Sequence, residues 1–192
     1  MLLLVLIVTT MLSALGLGLM TMTSTETAIA SNYREASEVL HAADAAADCA
    51  IAEVSRAATY TDVLSGAAVS AWRDVNMTPI LASGQRLDVQ ALTTTLQASS
   101  DAALNLGVNN PQWRLFINRS LSAITGRADA ASYVAAWVSD DAADGDGNPM
   151  VDSNGLLAVR AQAFGRYGTS RTVDVTIAKY LNTRILSWRE VR

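Results

Sequence analysis

No charged side chain occurs in the first 22 residues, MLLLVLIVTTMLSALGLGLMTM, and no proline interrupts residues 1 to 58. The missing charge excludes an ordinary solvated helix, and the missing proline leaves nothing to break one. A single cysteine, Cys49, excludes a disulfide within the chain, and on a packed helix face it reads as a small buried hydrophobe. The one histidine, His41, has no ligand partners at zinc spacing, and Cys49 lies two turns away. Basic clusters are also lacking. With 17% charged residues and a net charge of -4, nucleic acid and anionic lipid surfaces are poor partners. No GxSxG elbow, phosphate loop or dinucleotide fingerprint is present, so nothing points to an enzyme. Two glycosylation-type triplets, at Asn76 and Asn118, are of a kind frequent by chance.

What is present begins with that apolar block, roughly 33 Å long as a helix and sufficient to cross a hydrocarbon layer. Helical periodicity continues beyond it. Ile29, Tyr33, Ala36, Leu40, Ala43, Ala47, Ala50 and Val54 recur every three or four residues, with Arg34, Glu35, Glu38, Asp44, Asp48 and Glu53 on other faces. The pattern predicts one helix of 50 or more residues. Its domains are 1–55, comprising an apolar segment (1–22) and an amphipathic half (23–55), and a head over 56–192. Gly16 and Gly18 each cost roughly 1 kcal/mol against alanine and mark where the helix would bend or loosen.

Downstream, residues 62–75 suggest a short helix or turn, 76–86 a loop around Pro79, and 89–106 a helix carrying Leu92, Leu96 and Ala103. After Pro111 the character turns to strand, at 113–121 and 133–140. A hairpin follows, LLAVRAQAFGR and RTVDVTIAKYL about the turn at 167–170, with both arms alternating as a sheet with one buried face requires. The tail, ILSWREVR, adds an edge strand. The order predicts an α+β fold, a long N-terminal helix packed on a C-terminal antiparallel sheet. Trp72, Trp113, Trp137 and Trp188 read as core aromatics rather than a ligand platform.

Between two predicted strands lies DDAADGDGNPMVDSNG, residues 140–155. Asp140, Asp141, Asp144, Asp146, Asn148 and Asp152 offer the closely spaced hard oxygens that Ca²⁺ takes six to eight at a time. Asp144, Asp146 and Asn148 copy the first three ligand positions of an EF-hand loop. Pro149 then stands where that loop needs glycine, and its closing glutamate is missing. The same residues are those of a solvated turn, and both readings stay open.

The stretch TETAIASNYREASEVLHAADAAADCAIAEV (25–54), directly behind an apolar helix, resembles the PilX-type minor pilins of type IV pili. Thr25-Glu26, Asn32, Arg34 and the run Ala42-Ala43-Asp44-Ala45 carry the likeness. It continues more weakly through Trp113-Arg114-Leu115, Asp140-Asp141, the segment 161–165 and Ser187-Trp188-Arg189-Glu190. The resemblance implies a type IV pilin-like fold and a structural, non-enzymatic role in a filament. Its partners would be other pilin subunits through helix bundling, and a tip adhesin where the subunit serves cell adhesion. It also implies a single-pass stay in the bacterial inner membrane before export into the pilus. The first basic residue is Arg34, so no basic stretch precedes the apolar block, and the reading adopted is that a leader is removed ahead of a methylated Met1.

Major pilins carry a glutamate at the fifth mature position. Here, if numbering starts at the processed end, that position is Val5, and the first acid is Glu26. A neighbour's ammonium buried without a counter-charge costs several kcal/mol, so the chain suits a tip or priming position. Competing readings are a minor pseudopilin of type II secretion, a membrane-anchored, calcium-dependent binding module and, last, an anchored enzyme.

Overall fold

The computed structural model describes residues 1–103, 109–179 and 182–191. It contains four helices and five strands among these residues: α1 (Leu2–Arg56), α2 (Tyr60–Ser65), α3 (Val89–Ala103), β1 (Arg114–Ser120), α4 (Leu121–Thr125), β2 (Tyr133–Asp140), β3 (Leu156–Phe164), β4 (Ser170–Lys179) and β5 (Thr183–Val191). The strands form one antiparallel sheet in the order β1-β2-β3-β4-β5, each pairing with the next in sequence. The expected α+β, pilin-like layout is present. Two compact units divide the chain, Met1–Ser37 and Glu38–Arg192.

The first unit is wholly helical after Met1, and every large apolar side chain from Met1 to Met22 is exposed. The hydroxyls of its apolar segment bond within the helix. Thr9 and Thr10 donate to carbonyls three and four residues back at 2.8 to 3.0 Å, and Ser13 donates to the Thr9 carbonyl at 2.8 Å. Helical geometry also continues through Gly16 and Gly18, where an added Cβ would meet nothing within 4 Å.

In the second unit, Val39, Ala42, Ala43, Ala46, Ala47, Ala50 and Val54 of α1 are buried in one cluster with the inner face of the sheet. The buried stripe differs from the predicted one. Val39, Ala42 and Ala46 join it, Leu40 is only partly buried, and Ile29 and Tyr33 are exposed. Two adjacent rows of small residues are buried in the inner layer, where alanine methyls meet the branched side chains of the strands.

Along the hairpin the predicted alternation holds. Val159, Ala161 and Ala163 of β3, and Val173, Val175 and Ile177 of β4, point inward and are buried. On the outer face Arg160 donates to both carboxylate oxygens of its cross-strand partner Asp174, at 2.5 and 2.6 Å. By contrast β2 is buried at every position, because a second layer covers its outer face. There Leu81, Val89, Leu96, Leu115, Tyr133, Ala135, Trp137 and Phe164 form a second cluster, and the Trp137 indole donates to Thr93 of α3 at 2.8 Å. A bulge between Leu115 and Ile117 lets successive residues of β1 serve both layers, Leu115 outward and Phe116 with Ile117 inward.

Some elements differ from the sequence reading. Helix α2 covers only residues 60–65, opened by a capping box between Thr59 and Asp62 and closed by Gly66. Leu106, the predicted end of α3, lies outside the described residues, as do Tyr180, Leu181 and Arg192 of the predicted strands. The chain turns helical at Leu121, and β5 starts earlier than predicted, at Thr183. Trp188 is 50% exposed on that edge strand, its indole donating to Asp44 at 2.9 Å, so it is not a core aromatic.

Trp137→Ala should cost about 3–5 kcal/mol by opening a cavity and releasing the latch on Thr93. Ala46→Leu should cost about 1–3 kcal/mol by pushing α1 off the sheet. Urea unfolding of the detergent-solubilised chain measures both. A cost within a few tenths of zero for Ala46→Leu would refute the close helix–sheet contact.

Candidate functional site

Two regions carry features that a self-contained fold does not need. One is the exposed apolar segment. A window of 18 residues in α1 has a mean hydropathy of 2.4 and none of it is buried, so this helix is long and apolar enough to cross a membrane. Each fully exposed Leu, Val, Ile or Met forgoes about 1.5–3 kcal/mol of burial. Summed over Met1 to Met22 this exceeds the usual stability of a domain, about 5–15 kcal/mol, so the segment needs an apolar environment. Val5, Gly16, Gly18 and Glu26 all lie on α1, Glu26 just past the apolar segment, and the Met1 carbonyl accepts the helix's first bond, from Val5 at 3.2 Å.

The other is the β2–β3 loop, residues 140–155. Its ends are fixed by the ladder, where Asp140 pairs with Leu157. Asp140 and Asp144 are 0% and 1% exposed, and Asp141 is half-buried. The three carboxylates converge, each offering an oxygen within 4.8 Å of the others. Among the described residues no Lys or Arg forms an ion pair with them.

The remaining predicted ligands do something else. Asp146 accepts from the Asn148 N–H at 2.8 Å, Asn148 from Met150 at 3.2 Å and Asp152 from Gly155 at 2.8 Å. These are turns in which side-chain oxygens capture nearby backbone donors. Asp144, which opens the EF-hand-like trio, belongs to the converging group, while Asp146 and Asn148 each hold a turn through one side-chain oxygen. Asp144 turns inward, accepting from the Ser153 N–H at 2.8 Å and from the Ser153 hydroxyl, while Asn154 donates to Asp141 at 2.8 Å.

Sequence reasoning missed Asn109. It is 1% exposed, and its Nδ2 donates to Asp140 Oδ2 at 2.5 Å and to the Asp141 carbonyl at 3.3 Å. Its Oδ1 is buried with no partner. Nothing in Asn109-Asn110-Pro111 marks this role, because the contact spans 31 residues and depends on the β1 and β2 placements.

Burial pushes the Asp140 carboxyl up to about 6, and the charges of Asp144 and Asp141 add to it, against hydrogen bonds from the Asp141 N–H and Asn109. Burial acts the same way on Asp144 and is the largest single influence, but hydrogen bonds from the Ser153 hydroxyl and from the N–H groups of Ser153, Asp146 and Asn154 together outweigh it and hold that carboxyl below its ordinary value. Asp152 is raised, mainly by burial. The signs follow from linkage. An unfolded Asp releases its proton near ~3.9, so the folded state holds the Asp140 proton longer. This group is therefore neutral to stability in acid, increasingly destabilising between about pH 4 and 6, and fully so above. Asp144 contributes the opposite, a stabilisation present at neutral pH and lost as pH falls through its low folded value. In chelator-treated protein, carboxyl ¹³C NMR should place the Asp140 midpoint at about 6. Asn109→Ala, removing a donor to the carboxylate, should raise it further; a midpoint near ~4 would contradict the burial.

Comparison with known proteins bears on the first region. Residues 1–48 match the family model described as PilX N-terminal. No curated protein and no solved structure matches the chain. The match covers the apolar segment and the start of the buried alanine face, and stops before the sheet. The chain thus carries a PilX-type N-terminal region at the head of an α+β, pilin-like fold.

Proposed function

We propose that this chain is a minor subunit of a type IV pilus, structural rather than catalytic, inserted by its apolar helix and placed in the tip or priming complex. The observation that carries the reading is the PilX N-terminal match over a helix whose large apolar side chains from Met1 to Met22 are all exposed. Before assembly, lipid of the inner membrane covers those side chains. In the fibre, equivalent helices of other pilin subunits replace it. Hydroxyls already bonded within the helix add no desolvation cost in either environment. Association then sums burial and dispersion, about 25 cal/mol per Å², without one dominant contact.

Terminal placement follows from charge. Residues 1–22 offer no carboxylate, the first acid being Glu26, so this helix cannot neutralise an ammonium buried beside it. Quantitative mass spectrometry and immunogold labelling of sheared fibres test the proposal. The chain should occur at a few copies, at fibre ends, and deleting residues 2–22 should abolish incorporation. Val5→Glu should spread labelling along the shaft. Fibres devoid of the chain, or wild-type label repeated along the shaft, would sink the reading. A minor pseudopilin shares this chemistry and differs in the apparatus whose fibres contain it.

A second reading, a membrane-anchored head that binds Ca²⁺, is favoured by Asp140, Asp141 and Asp144 converging beside the buried, unpartnered Asn109 Oδ1. These residues supply hard oxygens, and a divalent ion would relieve their mutual repulsion. It predicts a chain that stays with membranes when fibres are sheared. Calorimetry of the full chain in detergent should then show saturable heat with calcium chloride, lost in Asp144→Asn. Absence of heat removes this reading.

A further inference from the structure

A cavity of about 280 Å³ opens where β1 begins, lined by Leu64, Arg73, Gln112, Trp113, Arg114 and Met150. It shares no lining residue with the acidic triad, although Met150 comes from the same β2–β3 loop. Two guanidinium groups line it. Among the described residues neither forms an ion pair or side-chain hydrogen bond, although the chain has more acids than bases. Asp74, next to Arg73, is occupied by the Asn76 N–H at 3.0 Å. The Trp113 indole N–H is buried without an acceptor.

These groups are held in place by the surrounding fold. Gly66 ends α2 with φ +81°, and a Cβ there would overlap the Arg114 guanidinium, so the arginine head lies directly on the glycine backbone. The backbone of Arg73, whose side chain is exposed, forms a parallel bridge with that of Asn118 on β1, and the Asn118 side chain is fully buried. Asn118 accepts from the Asp74 N–H at 3.0 Å and donates to the Asn76 carbonyl at 3.2 Å, which pins the segment carrying Arg73. Gln97 of α3 clasps the entry to β1, donating to the Pro111 carbonyl at 3.0 Å and accepting from the Trp113 N–H at 2.8 Å.

We propose that this cavity receives a carboxylate carried on an apolar stem. Unpaired guanidiniums take a planar carboxylate through charge-assisted, two-pronged bonds. Leu64, Met150 and the Trp113 ring supply walls for the stem. A polyanion is disfavoured by the net charge of -4. The carboxylate has two sources, a free organic acid or an acidic side chain on a second copy of this chain.

The test uses ¹⁵N-labelled full chain in detergent micelles, with benzoate as probe and acetate and inorganic phosphate as comparison arms. The Trp113 indole N–H signal, assigned with Trp113→Phe, should shift saturably with millimolar benzoate and less with acetate or phosphate. Arg73→Gln should weaken benzoate about tenfold, the loss of one charge-assisted contact. Gly66→Ala, which displaces the Arg114 head, should weaken it similarly, while the Trp137 indole signal reports that the fold is intact. If raising protein concentration alone moves the Trp113 signal and benzoate competes, a second copy is the source. If only added acid moves it, the source is a free acid. No benzoate shift, tighter binding of phosphate, or a shift unchanged in both variants overturns the proposal. No filament is needed, so this outcome is independent of pilus assembly.

Discussion

The head depends on the rear half of α1 burying its alanine face against the sheet. Ala42, Ala43, Ala46, Ala47 and Ala50 are all 3% exposed or less, and opposite them stand Val159, Val173, Val175 and Ile177. A methyl group against a branched side chain leaves little free volume, so dispersion contacts are dense although each residue is small. Larger side chains on α1 would lift the helix away and open the inner layer. The charged residues of α1 are thereby confined to its other faces, and Asp44 reaches Trp188 on the edge strand.

A second layer follows from the sheet being covered on its outer face as well, over β1 and β2. That makes β2 a central strand in packing terms and buries its last residue, Asp140. The acidic loop inherits its electrostatics from this burial. A carboxylate at the end of a solvated strand would titrate normally, whereas here a neighbouring acid triad forms without a basic partner among the described residues. Backbone turns engage one side-chain oxygen each of Asp146, Asn148 and Asp152. The same outer layer, through Gln97, fixes the start of β1 and with it the arginine-lined cavity.

The leading segment has a different logic. Its hydroxyls bond within the helix and its large apolar side chains are exposed, so it calls for an apolar environment. Such a surface tolerates exchange of one apolar neighbour for another, as the proposed passage from bilayer to fibre requires. The alanine face cannot exchange partners in this way, because its fit is specific to one sheet.

Much of this was legible in the residues themselves. An uncharged run of 22 residues, an alanine stripe and two alternating arms have periods that only a helix and a half-buried hairpin satisfy, and they determined the α+β layout. Local chemistry also identified the acidic loop as the place where oxygens gather. What the residues could not reveal depends on contacts distant in sequence. Burial of β2 on both faces required α3 to land on it, and the stripe shifted to Val39, Ala42 and Ala46 because the sheet chose which rows face inward. Asp140, Asp141 and Asp144 meet Asn109 because strand pairing fixes Asp140, a meeting that no local spacing announces. Asn118, unremarkable as a chance triplet, became a staple only once β1 placed it beside residues 74 and 76. Periodicity is a property of neighbours along the chain and can be read there; which carboxylate is buried, and beside what, is decided by elements meeting in space.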